Sequence, residues 1–313
     1  MQFVHTPVLL EECLEYLAPR KEGELMVDAT QGEGGHSLAF LSRFPDLRLI
    51  GIDADPVIQE KAKERLKDFG ERVQFYSGWA QSFFAAFPSE FRRPDTVFLD
   101  LGVSMFHYEE SGRGFSFRKD EKLDMRIDPS SSLSAADLVA RLPEKELADL
   151  LYNNAGERFS RRIARAIAEA RSRSRLESSA ALSALVESCY PPAGRHGPVH
   201  PATKTFQALR AAVNGELSRL RDLLEGAFRI LESGGRMGVI SFNSGEDRIV
   251  KYFFREKNRD CTCPPEEPIC RCEGKRVLNI LTRKGIVPRK EEKESNPASR
   301  SARLRVIEKV LDE

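Results

Sequence analysis

The residues with the clearest chemical potential lie in the run Val27-Asp28-Ala29-Thr30-Gln31-Gly32-Glu33-Gly34-Gly35-His36. A short apolar stretch (Leu25, Met26, Val27) ends in an acid, glycines let the backbone turn tightly beneath a ligand, and an apolar-periodic helix begins near His36. Taken alone, such a run is also an ordinary strand-to-helix turn. A second apolar run, Leu47 to Ile52, ends at Asp53, where a carboxylate can accept hydrogen bonds from both hydroxyls of a ribose lying over the loop. A dinucleotide would call for G-x-G-x-x-G, so that its pyrophosphate sits on the helix N-terminus. This chain keeps Asp28 just before the loop, which repels a pyrophosphate and suits a phosphate-free ligand with a cationic end, such as S-adenosylmethionine. A dinucleotide is the weaker alternative.

Trp79, the single tryptophan, follows the third apolar run (Val73 to Tyr76) and can cover an adenine ring or simply edge the core. Asp100-Leu101-Gly102-Val103-Ser104 closes the fourth run, Thr96 to Leu99, at the strand end where ligands meet open α/β sheets. Asp100, with Ser104 beside it, is the catalytic candidate: an acceptor there can bind an exocyclic amino group and aim its lone pair at a methyl sulfonium. Such an amine is a poor nucleophile, so orientation and electrostatics matter more than a strong base. For Asp100 the alternative is a structural strand cap.

The elements that must position these residues alternate. Helical patterns at Val8 to Leu17, His36 to Phe44 and Pro56 to Phe69 separate the runs, which predicts a parallel sheet covered by helices. From Met105 to Pro201 no strand pattern occurs, and helices are expected at Ala135 to Leu142, Glu144 to Tyr152, Glu157 to Ser172 and Ala180 to Tyr190. A long helix from Thr205 to Leu231, a strand from Arg236 to Phe242, a helix from Asp247 to Lys257 and a late strand from Val277 to Leu281 follow. The expected organisation is an α/β core in two parts (1–104 and 203–290), an inserted helical substrate-recognition domain (105–202) and a charged C-terminal tail (291–313).

The chain has 313 residues, 41% of them hydrophobic, and 49 Lys+Arg against 48 Asp+Glu, so no global field advertises a nucleic-acid partner. With no membrane-length apolar run and no signal peptide, a cytoplasmic protein is expected. Basic surface is local: seven arginines against three glutamates fall between Glu157 and Glu177. Arg158, Arg161, Arg162 and Arg165 share one flank of a helix whose buried stripe is Phe159, Ile163 and Ile167. That flank can bind phosphates or be a merely solvated face. Arg113 and Phe115, then Asp124 and Arg126, fall in irregular segments suited to holding a flipped base or RNA backbone. Thr205, Gln207, Arg210 and Asn214 can face the same cleft, or cap and pack helices. Cys13 and Cys189 lie alone, whereas Cys261, Cys263, Cys270 and Cys272 form two C-x-C pairs, which suggests a tetrahedral structural zinc.

These residues also resemble a known family. The matching runs are H-T-P-V-L-L-E-E from His5, V-D-A-T and G-G-H-S from Val27, G-I-D-A-D-P from Gly51, L-D-L-G-V-S from Leu99 and R-G-F-S-F from Arg113. They continue with L-D-M-R from Leu123, E-R-F-S-R-R-I-A-R-A-I from Glu157, H-P-A-T-K-T-F-Q-A-L-R from His200, S-G-G-R from Ser233, E-D-R-I-V-K from Glu246 and N-P-A-S-R-S-A-R-L-R from Asn296. Over nearly the whole chain the sequence resembles the RsmH (MraW) family of 16S ribosomal RNA cytosine-N4 methyltransferases. The resemblance implies a Rossmann-like class I S-adenosylmethionine-dependent methyltransferase with an inserted α-helical domain, acting on the N4 amine of one cytosine in the decoding centre of the small subunit. By the same resemblance Gly34, Gly35 and His36 contact the methyl donor, Asp53 its ribose, and Asp100 its adenine or the methyl-transfer side. Three positions depart from the family's usual residues: Trp79 stands in place of a Phe, His107 replaces a cofactor-contacting Gln, and Asn243 replaces a His after the fifth strand. An RNA-binding assembly factor that has lost turnover is the alternative of a different class. A DNA amino-methyltransferase would carry D-P-P-Y where this chain has Asp100-Leu101-Gly102-Val103. A homodimer is neither required nor excluded.

Overall fold

Alternating buried side chains build a seven-stranded sheet with helices on both faces. The structure, a computed structural model, describes residues 6–195, 197, 199–261, 263 and 274–311. Its contacts divide the chain into one unit made of 1–102 and 219–313 and a second unit made of 103–218.

The first unit contains strands β1 (Leu25–Asp28), β2 (Arg48–Asp53), β3 (Val73–Ser77), β4 (Thr96–Asp100), β5 (Arg236–Ser241), β6 (Leu278–Ile280) and β7 (Arg303–Lys309). Their order is β3-β2-β1-β4-β5-β7-β6, with β1 to β5 parallel and β7 antiparallel to both neighbours. This is a Rossmann-like class I methyltransferase sheet, in which the direction of winding reverses between β1 and β4. Helices α1 (Leu10–Tyr16), α2 (Gly35–Arg43), α3 (Pro56–Leu66) and α4 (Ala80–Ala85) follow the strands as the apolar periodicity predicts. The two-residue period of the strands divides the core: Val27, Ile50, Val97, Leu99 and Val239 belong to one cluster, Met26, Leu49, Phe98 and Ile240 to the other. Each such side chain contributes roughly 1.5–3 kcal/mol by leaving water.

The second unit is helical: α5 (Met105–Glu109), α6 (Ala135–Arg141), α7 (Glu144–Ala155), α8 (Ser160–Arg171), α9 (Ser179–Ser188), α10 (Pro192–Arg195) and α11 (Ala202–Asn214). Helix α7 packs on α8 and α11, and Ile163, Ala164 and Ile167 of α8 are fully buried. A reciprocal capping box between Ser134 and Asp137 starts α6. The long helix expected from Thr205 to Leu231 is instead two, because Gly215 takes a left-handed conformation (φ 61°) and closes α11. The contact division therefore leaves 203–218 with the helical unit.

Back in the first unit come α12 (Leu220–Ile230), α13 (Ser244–Lys257) and α14 (Lys290–Ser295). The expected charged tail is corrected here. Residues 291–313 include β7, which lies inside the sheet, with Leu304, Val306 and Ile307 buried. Buried Lys309 donates to the carbonyls of Phe228 and Leu231 (3.1 and 2.8 Å), capping the C-terminal end of α12. The N-terminal segment is fastened to this region by three contacts: Thr6 O with Asn296 Nδ2 (3.2 Å), Leu9 N with Glu292 Oε1 (2.8 Å) and Glu12 with Arg289 (3.5 Å). The charges that suggested a tail lie on an alternating strand and a short surface helix. No helix of the described residues is long and apolar enough to cross a membrane.

Truncating the chain before Arg303 is expected to abolish cooperative unfolding and leave insoluble or molten protein. Far- and near-ultraviolet circular dichroism checks this; a disposable tail would leave the melting temperature unchanged.

Candidate active site

At the winding reversal the ends of β1 and β4 carry Asp28 and Asp100, and the loop after β1 crosses between them. Helix α2 begins at Gly35, with Gly34 before it in a left-handed conformation (φ 75°). A Cβ on Gly35 would lie 2.8 Å from Pro7 Cγ, so only glycine lets the N-terminal segment close over the loop. The loop is tied down by side chains. Gly32 N donates to Asp53 Oδ2 (2.8 Å), Asp100 N donates to Thr30 Oγ1 (2.6 Å), and Ser37 Oγ donates to Asp28 Oδ2 (2.6 Å). His36 Nε2 lies 3.0 Å from Val8 O, its Nδ1 lies 3.6 Å from Asp100 Oδ2, and its ring tilts on Phe98.

Asp28, Gly34, Gly35, His36, Asp53 and Asp100 are thus brought into one network. Thr30, Gln31 (Nε2 to Ser37 Oγ, 3.3 Å), Ser37 and Glu246 are members to which the sequence reading gave no role. Of these, Ser37 was legible in principle, because a hydroxyl on the first turn of the loop's helix can face back toward the acid that precedes the loop. Trp79 follows Gly78, whose N–H donates to Asp53 O (2.8 Å), and Arg219 stacks on its ring at 5.2 Å. The Trp79 ring therefore already carries a cation.

The floor of the crevice is acidic and buried. Burial, reinforced by Asp53 and opposed by bonds from Ser37 and Thr30, raises Asp28 from 3.8 to about 6. Burial, then Asp28 and Glu246, raises Asp100 well above the usual carboxylate range, although its side chain keeps 14% exposure. Oδ1 of each aspartate is buried without a hydrogen-bond partner among the described residues. These two oxygens are acceptors with capacity for a ligand.

Asn243 caps α13, accepting from Gly245 N and Glu246 N (2.9 and 3.0 Å), while Glu246 accepts from Phe242 N (2.8 Å). The departure from histidine at Asn243 thus has a structural job.

Several residues expected to carry chemistry also hold the helical unit together. Ser104 caps α5 through Phe106 N (3.3 Å), and His107 is buried against Phe106 and Phe115. Phe115 itself is core. Arg113 bonds the carbonyls of Arg126 and Ile127, and Arg126 grips Asp124 with two bonds of 2.7 Å and the carbonyls of Pro129 and Ser131. Burial alone would raise Asp124, but the bonds and charge of Arg126 outweigh it and hold the carboxyl below its usual range. Arg210 forks onto Glu216 (2.9 Å twice) and bonds Tyr108, Asn214 fastens Ile127 and Met125, and Thr205 is fully buried. The guanidinium groups of Arg126 and Arg210 already have internal acceptors, and Phe115 and Thr205 face the core. Gln207, Arg158 and Arg162 are exposed, as a substrate-facing role requires. Arg171 is occupied by the carbonyls of Val139 and Leu142 at the end of α6. A cleft of about 600 Å³ in this unit sets Asp120, Glu121, Asp137 and Glu177 against Lys122 and Arg175, a lining too acidic to cradle phosphate.

Cys263 N donates to Cys261 Sγ (3.4 Å), whereas Cys270 and Cys272 lie outside the described residues. Among the described residues no group of three or more potential ligands could hold a metal.

Because the neutral form of Asp28 is favoured in the folded state, its ionisation lowers stability as pH rises from 3.8 through 6. At about 1.4 kcal/mol per tenfold change in proton affinity, the effect is at most about 3 kcal/mol. Asp28→Asn is therefore expected to raise the melting temperature of the ligand-free protein above pH 6.5, with the gain vanishing below pH 4. Thermal melts across that range check the sign.

A family model described as the MraW methylase family matches residues 2–310 of this chain. A protein of Treponema denticola called ribosomal RNA small subunit methyltransferase H is 55% identical over 99% of this chain and 98% of its own length. Proteins of the same name from Treponema pallidum and Syntrophobacter fumaroxidans are 42% and 46% identical, each over 97% of this chain and over 92% and 96% of their own lengths. Against the crystal structure of an rRNA methylase from Streptococcus thermophilus the identity is 11%, over 96% of this chain and 94% of that one, with a TM-score of 0.40, a likeness on which nothing further rests. With a model match and relatives that span its length, this chain belongs to the MraW methylase family and is a methyltransferase.

Proposed function

We propose that the chain transfers a methyl group from S-adenosylmethionine to 16S ribosomal RNA of the small subunit, at the N4 amine of one cytosine in the decoding centre, in the cytoplasm. The observation that carries this is the pair of buried, unpartnered oxygens, Asp28 Oδ1 and Asp100 Oδ1, at the winding reversal of a methyltransferase sheet. An acidic floor fits a cationic, phosphate-free nucleoside and disfavours a pyrophosphate. The names of the relatives support the RNA substrate, and the resemblance of the motifs supports the cytosine amine.

When bound, S-adenosylmethionine supplies an electrophilic methyl carbon on a sulfonium. The amides at the start of α2, beside Gly34 and Gly35, would receive its carboxylate. Asp53, whose two oxygens fix the loop and the start of α3, would accept from the ribose hydroxyls. Trp79 would cover the adenine. Asp28 and Asp100 would face the positive end, which favours their ionised forms. Ionised Asp100 can then accept one N–H of the amine, aim the nitrogen lone pair, and take the proton the nitrogen sheds as its bond to carbon forms. In the helical unit Arg158, Arg161 and Arg162 are exposed and have no ion pair among the described residues, so their charge is available to phosphates.

Incubating the protein with radiolabelled S-adenosylmethionine and small subunits lacking the modification is expected to label a cytosine N4. Subunit binding without label would instead support a non-catalytic assembly factor. Changing Arg158 and Arg162 together to glutamate is expected to weaken subunit binding at least about tenfold and flatten its salt dependence. The affinity for S-adenosylhomocysteine, measured by calorimetry, should stay within about twofold.

A further inference from the structure

Leu9 has a left-handed backbone (φ 54°, ψ 36°) although its side chain is completely buried. Outside glycine this conformation is unfavourable, and strain of this kind calls for a reason. The peptide group between Val8 and Leu9 offers one. Its carbonyl faces His36 Nε2 at 3.0 Å, and its N–H donates to Glu292 Oε1 at 2.8 Å. One peptide plane thus joins the short helix α14 to the imidazole beside Asp100, and φ at Leu9 sets how that plane is turned.

A carbonyl oxygen can only accept, so Nε2 must carry a proton. Nδ1, 3.6 Å from Asp100 Oδ2, is then the nitrogen that faces the carboxyl. We propose that Glu292, acting through the Val8–Leu9 peptide, is a positioning residue that holds His36 in its Nε2–H form with Nδ1 toward Asp100, so that histidine and aspartate together form one proton-holding site. The inference rests on the proposed placing of Asp100 at the methyl-transfer side. There, the proton shed by the attacking amine passes to Asp100, and Nδ1 is the base within reach that can share it. The other titratable groups around the pair are Asp28 on β1, Glu246 on α13 and Cys13 and Glu12 on α1, all anionic when ionised; the Cys13 thiol is raised by burial and then by Asp100, Glu12, Asp28 and Glu292. No cation is among the causes of the Asp100 shift, and the imidazole is the adjoining group that can accept a proton there.

The test compares wild type, Glu292→Ala and Glu292→Gln in the full chain, with small subunits as substrate over pH 6–9. Glu292→Ala is expected to lower kcat about five- to tenfold, to leave KM for S-adenosylmethionine within about twofold, and to displace the acidic limb of the kcat profile. Glu292→Gln keeps an acceptor for Leu9 N–H and is expected to restore both kcat and profile. An unchanged kcat and profile in Glu292→Ala would overturn the relay, whereas an inactive wild type would overturn the proposed function instead. Should the variants not fold, nitrogen-15 spectra of histidine-labelled wild type decide. The relay requires a proton on His36 Nε2 at every pH at which the protein is folded, and a neutral Nδ1–H form would contradict it.

Discussion

Everything in the first unit is arranged around two carboxyl groups that the fold keeps from water, Asp28 and Asp100. Burying such groups is unfavourable unless they are neutral or meet a positive partner, and each has an oxygen with no hydrogen-bond partner among the described residues. The surrounding bonds make the arrangement rigid rather than comfortable. Ser37 holds one oxygen of Asp28, Thr30 holds the backbone of Asp100, and Gly32 and Asp53 fix the loop between. A site held in this way binds a cation by relieving stress already present. In the proposed reading this suits a methyl donor that loses its sulfonium charge on reaction, because an acidic floor would hold the charged form more tightly than the neutral one.

The sheet is what makes such a site affordable. Parallel strands with both faces covered bring the C-terminal ends of β1, β2 and β4 to one edge, where their terminal acids meet the loop. Strand β7 lies between β5 and β6, Lys309 at its end holds α12, and the 289–296 segment holds residues 6–12. In the helical unit the charges have two kinds of work. Arg126, Arg171 and Arg210 satisfy carbonyls and carboxylates that would otherwise be buried alone, whereas Arg158 and Arg162 stay in solvent. Burial and partners, not residue type, separate the two classes.

Much of the crevice was legible because its chemistry is local. Apolar runs ending in Asp28, Asp53 and Asp100 announce strand ends, and glycines between the first acid and a helix announce a ligand loop. What stayed hidden is whatever depends on contacts remote in sequence. Nothing near Leu9 announces Glu292, and the charges of 291–313 resembled a tail because the alternation of β7 is short. Arg126 and Arg210 looked available because a sequence displays their donors but not the carboxylates, hydroxyl and carbonyls that meet them. The long helix after Thr205 failed at Gly215 for a simpler reason: a glycine inside a helical pattern can be tolerated or can end it, and only packing decides.

The central claim is that the crevice is an acid-floored receptor for a cationic methyl donor. Calorimetric titration near pH 6 in buffers of different ionisation enthalpy tests it most directly. The account predicts that S-adenosylmethionine binds with net proton release, tightens as pH rises from 5.5 to 7.5, and releases more protons than neutral S-adenosylhomocysteine. Equal proton release by the two ligands, or tighter binding of S-adenosylmethionine at the acidic end, would contradict it.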